Sequence, residues 1–318
     1  MKEEWRVEHD LTPFNTLGLP CLAERFAEPV TVVALRRLLR LAAERNWPVT
    51  LLGGGSNLIL PERLAGLVIR PSLKHWWLER QSSSVRVHVG AGVEWHPLVM
   101  ALAARGLWGT ENLALIPGHC GAAPIQNIGA YGVELCEVVE AVEVLFLESG
   151  HSAVLTPEEC GFGYRDSIFK GELAGRVAIT GLTLRLSRTP LPRVAYGDLA
   201  QRVGPLPTPL EVAEAVCAIR REKLPDPAEL GNAGSFFKNP IVERGMAELL
   251  VAEWPDMPRF ELACGGVKLA AGWLIDRCGL KGYRLGHFGV APPQARVLGD
   301  LGCGYAGKQH ALAARLAA

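Results

Sequence analysis

The 318-residue chain lacks an excess of either charge: 33 lysines and arginines balance 33 aspartates and glutamates. Without a net field, bulk electrostatics recruits neither nucleic acid nor an anionic membrane, so neither is expected as a partner, and a local basic pocket for a small anion stays open. No stretch reaches the roughly 18 apolar residues of a membrane span. The opening MKEEWRVEHD carries acids where a signal peptide needs an apolar run. The cytoplasm is therefore the expected compartment. The eight cysteines (Cys21, Cys120, Cys136, Cys160, Cys217, Cys264, Cys278, Cys303) form no C-x-x-C pair and have no partnering H-x-x-x-H. Neither a zinc site nor a disulfide framework is indicated; they are expected as small buried hydrophobes in a reducing compartment, and no metal is expected.

What is present is material for large cores. Apolar residues make up 49% and charged residues 21%, a composition that folds compactly, and the length predicts two or three domains of roughly 100 to 200 residues. TVVALRRLLRLAAERN sets Val32, Leu35, Leu38, Leu39 and Ala42 at helical spacing behind a Thr31 cap, and strand-like PVTLLG follows. GLVIRP, VRVHVGAG and VVEAVEVLFLE read as strands, and WHPLVMALAARG as a helix. Two capping boxes carry proline at the first helical position. Thr156, Pro157 and Glu159 predict a short helix ending near Arg165; Thr208, Pro209 and Glu211 predict a helix that Pro225 and Pro227 stop. The last part reads as helices MAELLVAEW and KLAAGWLIDRCG, the latter capped by Gly279, then β-like ARVLGDL and helical HALAARLAA. There is no internal repeat. The mixture is α+β, with the proline-rich 187–230 stretch as the expected boundary zone.

Several motifs bear chemistry. GGGSN, 53–57, fails the dinucleotide fingerprint G-x-G-x-x-G because the third glycine position is Leu58 and a strand-like LIL follows. It fits a nest instead: successive backbone N–H groups converging on an anion, with Ser56 and Asn57 adding side-chain hydrogen bonds. LIPGHCGAAPIQNIGAYG, 115–132, has small residues throughout, with an aliphatic rim of Leu115, Ile116, Ile125 and Ile128. It suits close backbone approach to something flat and large, such as an isoalloxazine ring and its ribityl chain. GYRDSIFK holds Arg165 and Asp166, readable as a structural ion pair or as a site. GNAGSFFKNP lifts Ser235 on a glycine turn beside Lys238, without a nucleophile elbow or a triad. GCGYAGKQ, 302–309, approaches a phosphate-binding loop, but Gln309 replaces the magnesium-binding hydroxyl, so a plain turn is expected.

Taken in order, LLGGGSNLIL, IPGHCGAAPIQNIGAYGVEL, GYRDSIFK, REKLPDP and GNAGSFFKNP resemble the UDP-N-acetylenolpyruvoylglucosamine reductase (MurB) family. The likeness runs from TPFNTLG at residue 12 to AGWLIDRCGLKG at 282. VAYGDL, 194–199, resembles the tyrosine loop of that family's longer, type I branch. The resemblance implies an α+β FAD-binding fold of the vanillyl-alcohol-oxidase (PCMH) type, with FAD-binding subdomains at 1–73 and 74–224 and a substrate-binding domain at 225–318. It places the FAD diphosphate on Gly53, Gly54, Gly55, Ser56 and Asn57. Ile116, Pro117, Gly118, Ala122, Ala123, Gln126, Asn127, Gly129, Ala130, Tyr131 and Arg165 would line the rest of the cofactor.

The implied activity is that of a UDP-N-acetylmuramate dehydrogenase. NADPH reduces FAD, and a hydride then passes to the enolpyruvyl carbon of UDP-N-acetylglucosamine enolpyruvate remote from its carboxylate. Negative charge builds beside the carboxylate, where a preorganised cation lowers the barrier; Arg165 matches the family arginine with that role. Ser235 matches the family proton donor. Tyr196, Lys223, Ser235, Asn239 and Gln294 match substrate contacts. Peptidoglycan synthesis, and with it cell wall biogenesis, cell shape and cell division, is the implied setting. A monomer is expected.

The likeness weakens at the C-terminal end. Family members complete the catalytic set with a glutamate in a segment of the type LEPE, and this chain ends in HALAARLAA. Ala291 and a double proline also stand where the family tends to carry a polar VHxxQ run. The third catalytic residue is thus unassigned. The expectation is a C-terminally incomplete chain; the alternative is a catalytically weakened flavin and UDP-sugar binding protein.

Overall fold

The computed structural model describes residues 5–262, 265–285, 288–290 and 297–300. Gln294, Cys264, Cys303, the GCGYAGKQ turn and HALAARLAA lie outside the described residues. By internal contacts the chain forms two compact units. The first comprises 1–11, 21–55 and 63–221; the second comprises 12–20, 56–62 and 222–318.

The first unit contains two sheets. In one, β1 (Arg6–Asp10), β2 (Leu22–Ala27), β3 (Val49–Leu51) and β4 (Arg63–Ile69) run in the order β1-β2-β4-β3. The pair β1/β2 is antiparallel, whereas β2/β4 and β3/β4 are parallel. Helix α1 (Val32–Glu44), on the link between β2 and β3, is the crossover that lets β3 run in the same direction as β2. Its cap is the one expected: the Thr31 hydroxyl accepts from the Ala34 N–H at 3.1 Å. Leu35, Leu38, Leu39 and Ala42 pack with Ala27, Leu67 and Ile69.

The other sheet is antiparallel throughout. Its order is β10-β9-β11-β6-β5, from β5 (Trp76–Arg80), β6 (Ser84–Gly90), β9 (Val139–Phe146), β10 (Ser152–Leu155) and β11 (Val177–Ser187). A two-stranded hairpin, β7 (Gly129–Ala130) and β8 (Val133–Glu134), lies between β6 and β9 in sequence. Helix α2 (Trp95–Ala103), the short α3 (Leu199–Arg202) and α4 (Pro209–Lys223) join this sheet's core, in which Val87, Val142, Leu184, Leu102, Leu199 and Val216 are buried together. The second capping box closes α4 as expected: the Thr208 N–H donates to Glu211 at 2.7 Å and the Glu211 N–H returns to Thr208 at 3.3 Å.

The first capping box departs from expectation. Its two reciprocal hydrogen bonds form, Thr156 N–H to Glu159 at 2.8 Å and Glu159 N–H to Thr156 at 3.3 Å, yet only a single turn follows. Gly161 adopts φ +54 directly after it and Gly163 comes two residues later, so the helix is not propagated. Arg165 consequently stands on a tight loop, not at a helix end.

The second unit has a four-stranded sheet, order β12-β18-β17-β16, from β12 (Asn232–Ser235), β16 (Arg284–Leu285), β17 (Phe288–Val290) and β18 (Val297–Asp300). A three-stranded sheet, β13 (Ile241–Val242), β14 (Arg259–Glu261) and β15 (Val267–Leu269), accompanies α5 (Arg244–Glu253) and α6 (Ala271–Arg277). Lys268 and Leu269, expected in a helix, belong to β15; the helix begins at Ala271, whose N–H donates to the side-chain Oδ1 of Asn239 at 3.1 Å. Segment 12–20 is tied in by Thr16, whose hydroxyl donates to the Asn232 carbonyl at 2.7 Å. Leu17 and Leu19 pack there with Ile275, Phe288 and Val290.

Candidate active site

The two glycine-rich segments of the first unit meet backbone to backbone. A Cβ placed on Gly54 would stand 2.7 Å from the Gly118 Cα and 3.3 Å from the His119 nitrogen, and Gly55 has φ +64. Glycine at these two positions is therefore demanded by packing and by backbone conformation, before any ligand is considered. Segment 113–121 is in turn held from α2 and the loop before it. The Trp95 indole donates to the Leu113 carbonyl at 3.0 Å, the Trp95 N–H to Gly118 at 2.9 Å, and the Cys120 and Gly121 N–H groups to Val93 and Ala91 at 2.8 and 2.9 Å.

Strain collects in the same place. Of the six non-glycine residues with positive φ among the described residues, four are Leu115, Asn127, Tyr131 and Arg165. Such conformations cost about 1–3 kcal/mol each and persist where the surroundings over-determine them. Those surroundings are visible. His96 Nδ1 accepts the Leu115 N–H at 3.0 Å, and burial together with Arg221 and Arg220 pushes the pKa of this imidazole down, which keeps it an acceptor. Buried Asn127 donates to Glu134 at 2.8 Å and to the Gly163 carbonyl at 3.1 Å, and accepts the Cys136 N–H at 2.9 Å. Its side chain thus joins the 115–132 segment to the Arg165 loop. The Ser167 hydroxyl adds a bond to the Ile125 carbonyl at 2.7 Å.

Arg165 donates through Nη2 to the Gly129 carbonyl, and Asp166 accepts the Ser167 N–H. The guanidinium is directed at the 129–131 backbone and not at its neighbouring acid. Tyr131 and Tyr196 meet edge to face, ring centroids 6.0 Å apart. Ala123 is buried in the core, whereas Ile116, Gly118, Ala122, Gln126, Ala130 and Tyr131 are half-buried and Pro117 is exposed. Lys223, Ser235 and Asn239, with Ser56 and Asn57, count with the second unit. There Ser235 is exposed at the end of β12, directly after Gly234 at φ +72.

Four polar residues at the site were not among those expected from the sequence. Arg70 donates to Glu28 at 2.9 Å, to the Gly53 carbonyl at 3.3 Å and to His119 Nε2 at 3.1 Å. Burial, then Arg70, depresses the His119 pKa to about 4, so the ring accepts from Arg70 as a neutral base. Arg220 on α4 buries its Nε without an acceptor. Among the described residues, the titratable groups that act on it are Tyr131, Cys217 and Arg165, with no carboxylate among them. Asn112 is fully buried and donates to two main-chain carbonyls. His119 lies inside a segment the sequence had singled out; the others carry no local signal.

A cleft of about 370 Å³ opens within the first unit. Gly53, Gly121, Ala122 and His119 line it, together with Leu51, Leu147, Phe169, Leu173 and Ile179. Its size and mostly apolar wall suit one half of a dinucleotide, and the unpaired Arg220 guanidinium suits an anionic or electron-rich group. These residues fit FAD. Among the described residues, no group of three or more His, Cys, Asp or Glu side chains could hold a metal ion. Burial drives the Cys21 thiol to about 11 and Cys160 to about 12, and raises Cys120 and Cys217, which makes them poor nucleophiles. No described helix is long and apolar enough to cross a membrane.

Comparison with known proteins agrees along the whole length. Residues 23–155 match the FAD binding domain family model, and 226–318 match the C-terminal domain model of UDP-N-acetylenolpyruvoylglucosamine reductase. The protein of that name from Chromobacterium violaceum is 47% identical over 322 residues, covering 99% of this chain and 94% of its own. The one from Neisseria meningitidis is 45% identical, covering 92% and 86%. The crystal structure of UDP-N-acetylenolpyruvylglucosamine reductase (MurB) from Thermus caldophilus superposes with a TM-score of 0.68 at 28% identity, covering 98% of this chain and 94% of that one.

Proposed function

The chain belongs to the UDP-N-acetylenolpyruvoylglucosamine reductase family, and from that premise we propose that it reduces UDP-N-acetylglucosamine enolpyruvate to UDP-N-acetylmuramate for peptidoglycan synthesis in the cytoplasm. FAD is the resident flavin and NADPH the electron donor. The α+β fold is the one the family resemblance implies. The observation that carries the reading is the strained, mutually braced pair of glycine-rich segments beside an apolar cleft, with Arg165 fastened to one of them.

In this reading the amides of Gly53, Gly54, Gly55, Ser56 and Asn57 hold the diphosphate. Leu147, Phe169, Leu173 and Ile179 would hold the adenosine end, and the 116–131 segment would line the ring system. FAD, when bound, supplies two-electron transfer from the nicotinamide to the enolpyruvyl carbon. The chain's own residues do the rest. The Arg165 guanidinium, aimed by its bond to Gly129, offsets the negative charge that develops beside the substrate carboxylate. Ser235 delivers the proton to that carbon; a hydroxyl is a weak acid, but an enolate-like carbon is a stronger base than water. Tyr196, Lys223, Asn239 and Gln294 contact the substrate. Two FAD-binding subdomains, 1–73 and 74–224, and a substrate-binding domain, 225–318, remain the proposed division, supported by the two separate sheets of the first unit.

The relatives carry the reductase name across nearly this entire chain, which does not favour the alternative of a catalytically weakened binding protein. Anaerobic titration tests the proposal. NADPH should bleach the flavin's visible absorbance and UDP-N-acetylglucosamine enolpyruvate should restore it one for one. Bleaching without restoration removes the reductase reading.

A further inference from the structure

Residues 190–195 have no regular secondary structure. Among the described residues, their backbone makes one hydrogen bond: the Arg193 carbonyl accepts from Asn112 Nδ2 at 2.7 Å. The second proton of the same Nδ2 goes to the Tyr131 carbonyl at 2.9 Å. One side-chain nitrogen, with no solvent exposure, therefore fastens the flavin-facing turn to the loop that carries Tyr196 three residues later. The fit around this link is close. Tyr131 is held at φ +49 and Gly132 at φ +80, a Cβ on Gly132 would stand 3.5 Å from the Tyr196 Cβ, and the Tyr131 and Tyr196 rings are in edge contact. The other polar link of the loop is the half-exposed ion pair Arg193–Glu137 at 2.9 Å, of a kind that contributes little in water. The Asn112 carbonyl oxygen is buried without a partner. That costs stability, and such a cost is tolerated where the donor half of the amide is needed.

We propose that Asn112 is a positioning residue for the UDP-sugar: by pinning Arg193 and Tyr131 to one nitrogen it sets the place of Tyr196, and so governs substrate affinity and not flavin chemistry. This rests on the function proposed above, in which Tyr196 contacts the substrate. Asparagine is suited to the task because its amide offers two donors on one atom; aspartate, of equal size, offers none and would face two carbonyls with lone pairs. The buried Glu111 beside it accepts the Gly109 N–H at 2.6 Å and acts on Arg193 of the loop only through space.

The test uses Asn112→Ala and Asn112→Asp in the flavin-loaded full chain, each alone and combined with Tyr196→Phe. The expected result is wild-type flavin content and flavin reduction by NADPH, with KM for the enolpyruvyl UDP-sugar raised roughly tenfold, about the size of one lost hydrogen bond. In the Tyr196→Phe background the rise should shrink to roughly twofold or less, as coupling through that residue requires. Trypsin should cleave after Arg193 at least about tenfold faster in the Asn112 variants, a readout independent of turnover. Arg193→Ala, which leaves the carbonyl bond in place, should keep KM near wild type. An equal KM rise in both backgrounds, unchanged cleavage, or flavin loss in both Asn112 variants overturns the proposal. If the wild type fails to turn over the substrate, the function above is lost, while the cleavage comparison still decides whether Asn112 anchors the loop.

Discussion

Gly54 lies against Gly118 so closely that a single methyl group on the first would stand 2.7 Å from the Cα of the second. Both neighbours are main chain, so neither can rotate away. The junction therefore forces two glycine-rich segments, far apart in sequence, to share one surface. Gly54→Ala should cost about 1–3 kcal/mol of stability, the usual range for overpacking a tight site, and should weaken FAD retention in proportion to the shift of the loop. Flavin released on gel filtration, quantified against protein, checks this. Full retention at unchanged stability would show that the junction yields and does not position the loop.

Ser235→Ala and Arg165→Lys separate the two half-reactions. Removing the hydroxyl should leave flavin reduction by NADPH nearly intact while slowing turnover by roughly 10²- to 10⁴-fold, the range for loss of a general acid. Lysine at 165 keeps the charge but cannot reproduce the planar fork that reaches Gly129; a reoxidation rate at least about tenfold slower is expected. Rapid-mixing absorbance resolves both. Equal loss in the two half-reactions would make Ser235 structural.

Arg220 sets function against stability. Its guanidinium is largely desolvated and its Nε lacks an acceptor, and among the described residues the titratable groups acting on it, Arg165, Tyr131 and Cys217, include no carboxylate. Replacing a buried uncompensated charge by an apolar chain of similar length relieves that cost. Arg220→Met should accordingly unfold at an equal or higher urea midpoint when flavin-free, and should reoxidise at least about tenfold more slowly with substrate. A large drop in the flavin-free midpoint would mean that the arginine is satisfied by the protein itself.

His119 gives a pH signature. Its pKa falls from an ordinary 6.5 to about 4 on folding, chiefly through burial. The unfolded chain then binds the proton more readily, so the neutral imidazole's contribution is complete above pH 6.5 and is lost as pH falls towards 4. The total is at most on the order of 3 kcal/mol. His119→Gln keeps an acceptor for Arg70 but does not titrate. Wild type should lose more stability than this variant between pH 6.5 and 4, measured by urea unfolding at fixed salt. Parallel curves would contradict a buried neutral histidine.

Local chemistry made part of this legible in the sequence. Helix α1 shows in full, since its cap residue and the 3.6-residue spacing of Leu35, Leu38, Leu39 and Ala42 agree. Helix α4 shows through the same kind of cap. The strand β11 escaped because burial on both faces, from Val177 through Leu184, leaves no alternation to read. The helix expected before Arg165 did not form because a cap lowers the cost of starting a helix but cannot carry it through Gly161 and Gly163. The glycine-rich segments announced close approach, yet not that the first thing each approaches is the other. Arg220 sits in AIRREK, which reads as the exposed face of a helix; that its Nε is buried is decided by how α4 rolls onto its sheet. Asn112 and the lining residues Leu147, Phe169, Leu173 and Ile179 are ordinary members of their segments, and only tertiary contact gives them a role.

The most direct test of the central claim is the crystal structure of the FAD-loaded chain. The account predicts the diphosphate within hydrogen-bonding distance of the amides of residues 53–57 and the adenine among Leu147, Phe169, Leu173 and Ile179. A diphosphate bound elsewhere, with the GGGSN amides facing solvent, would contradict it.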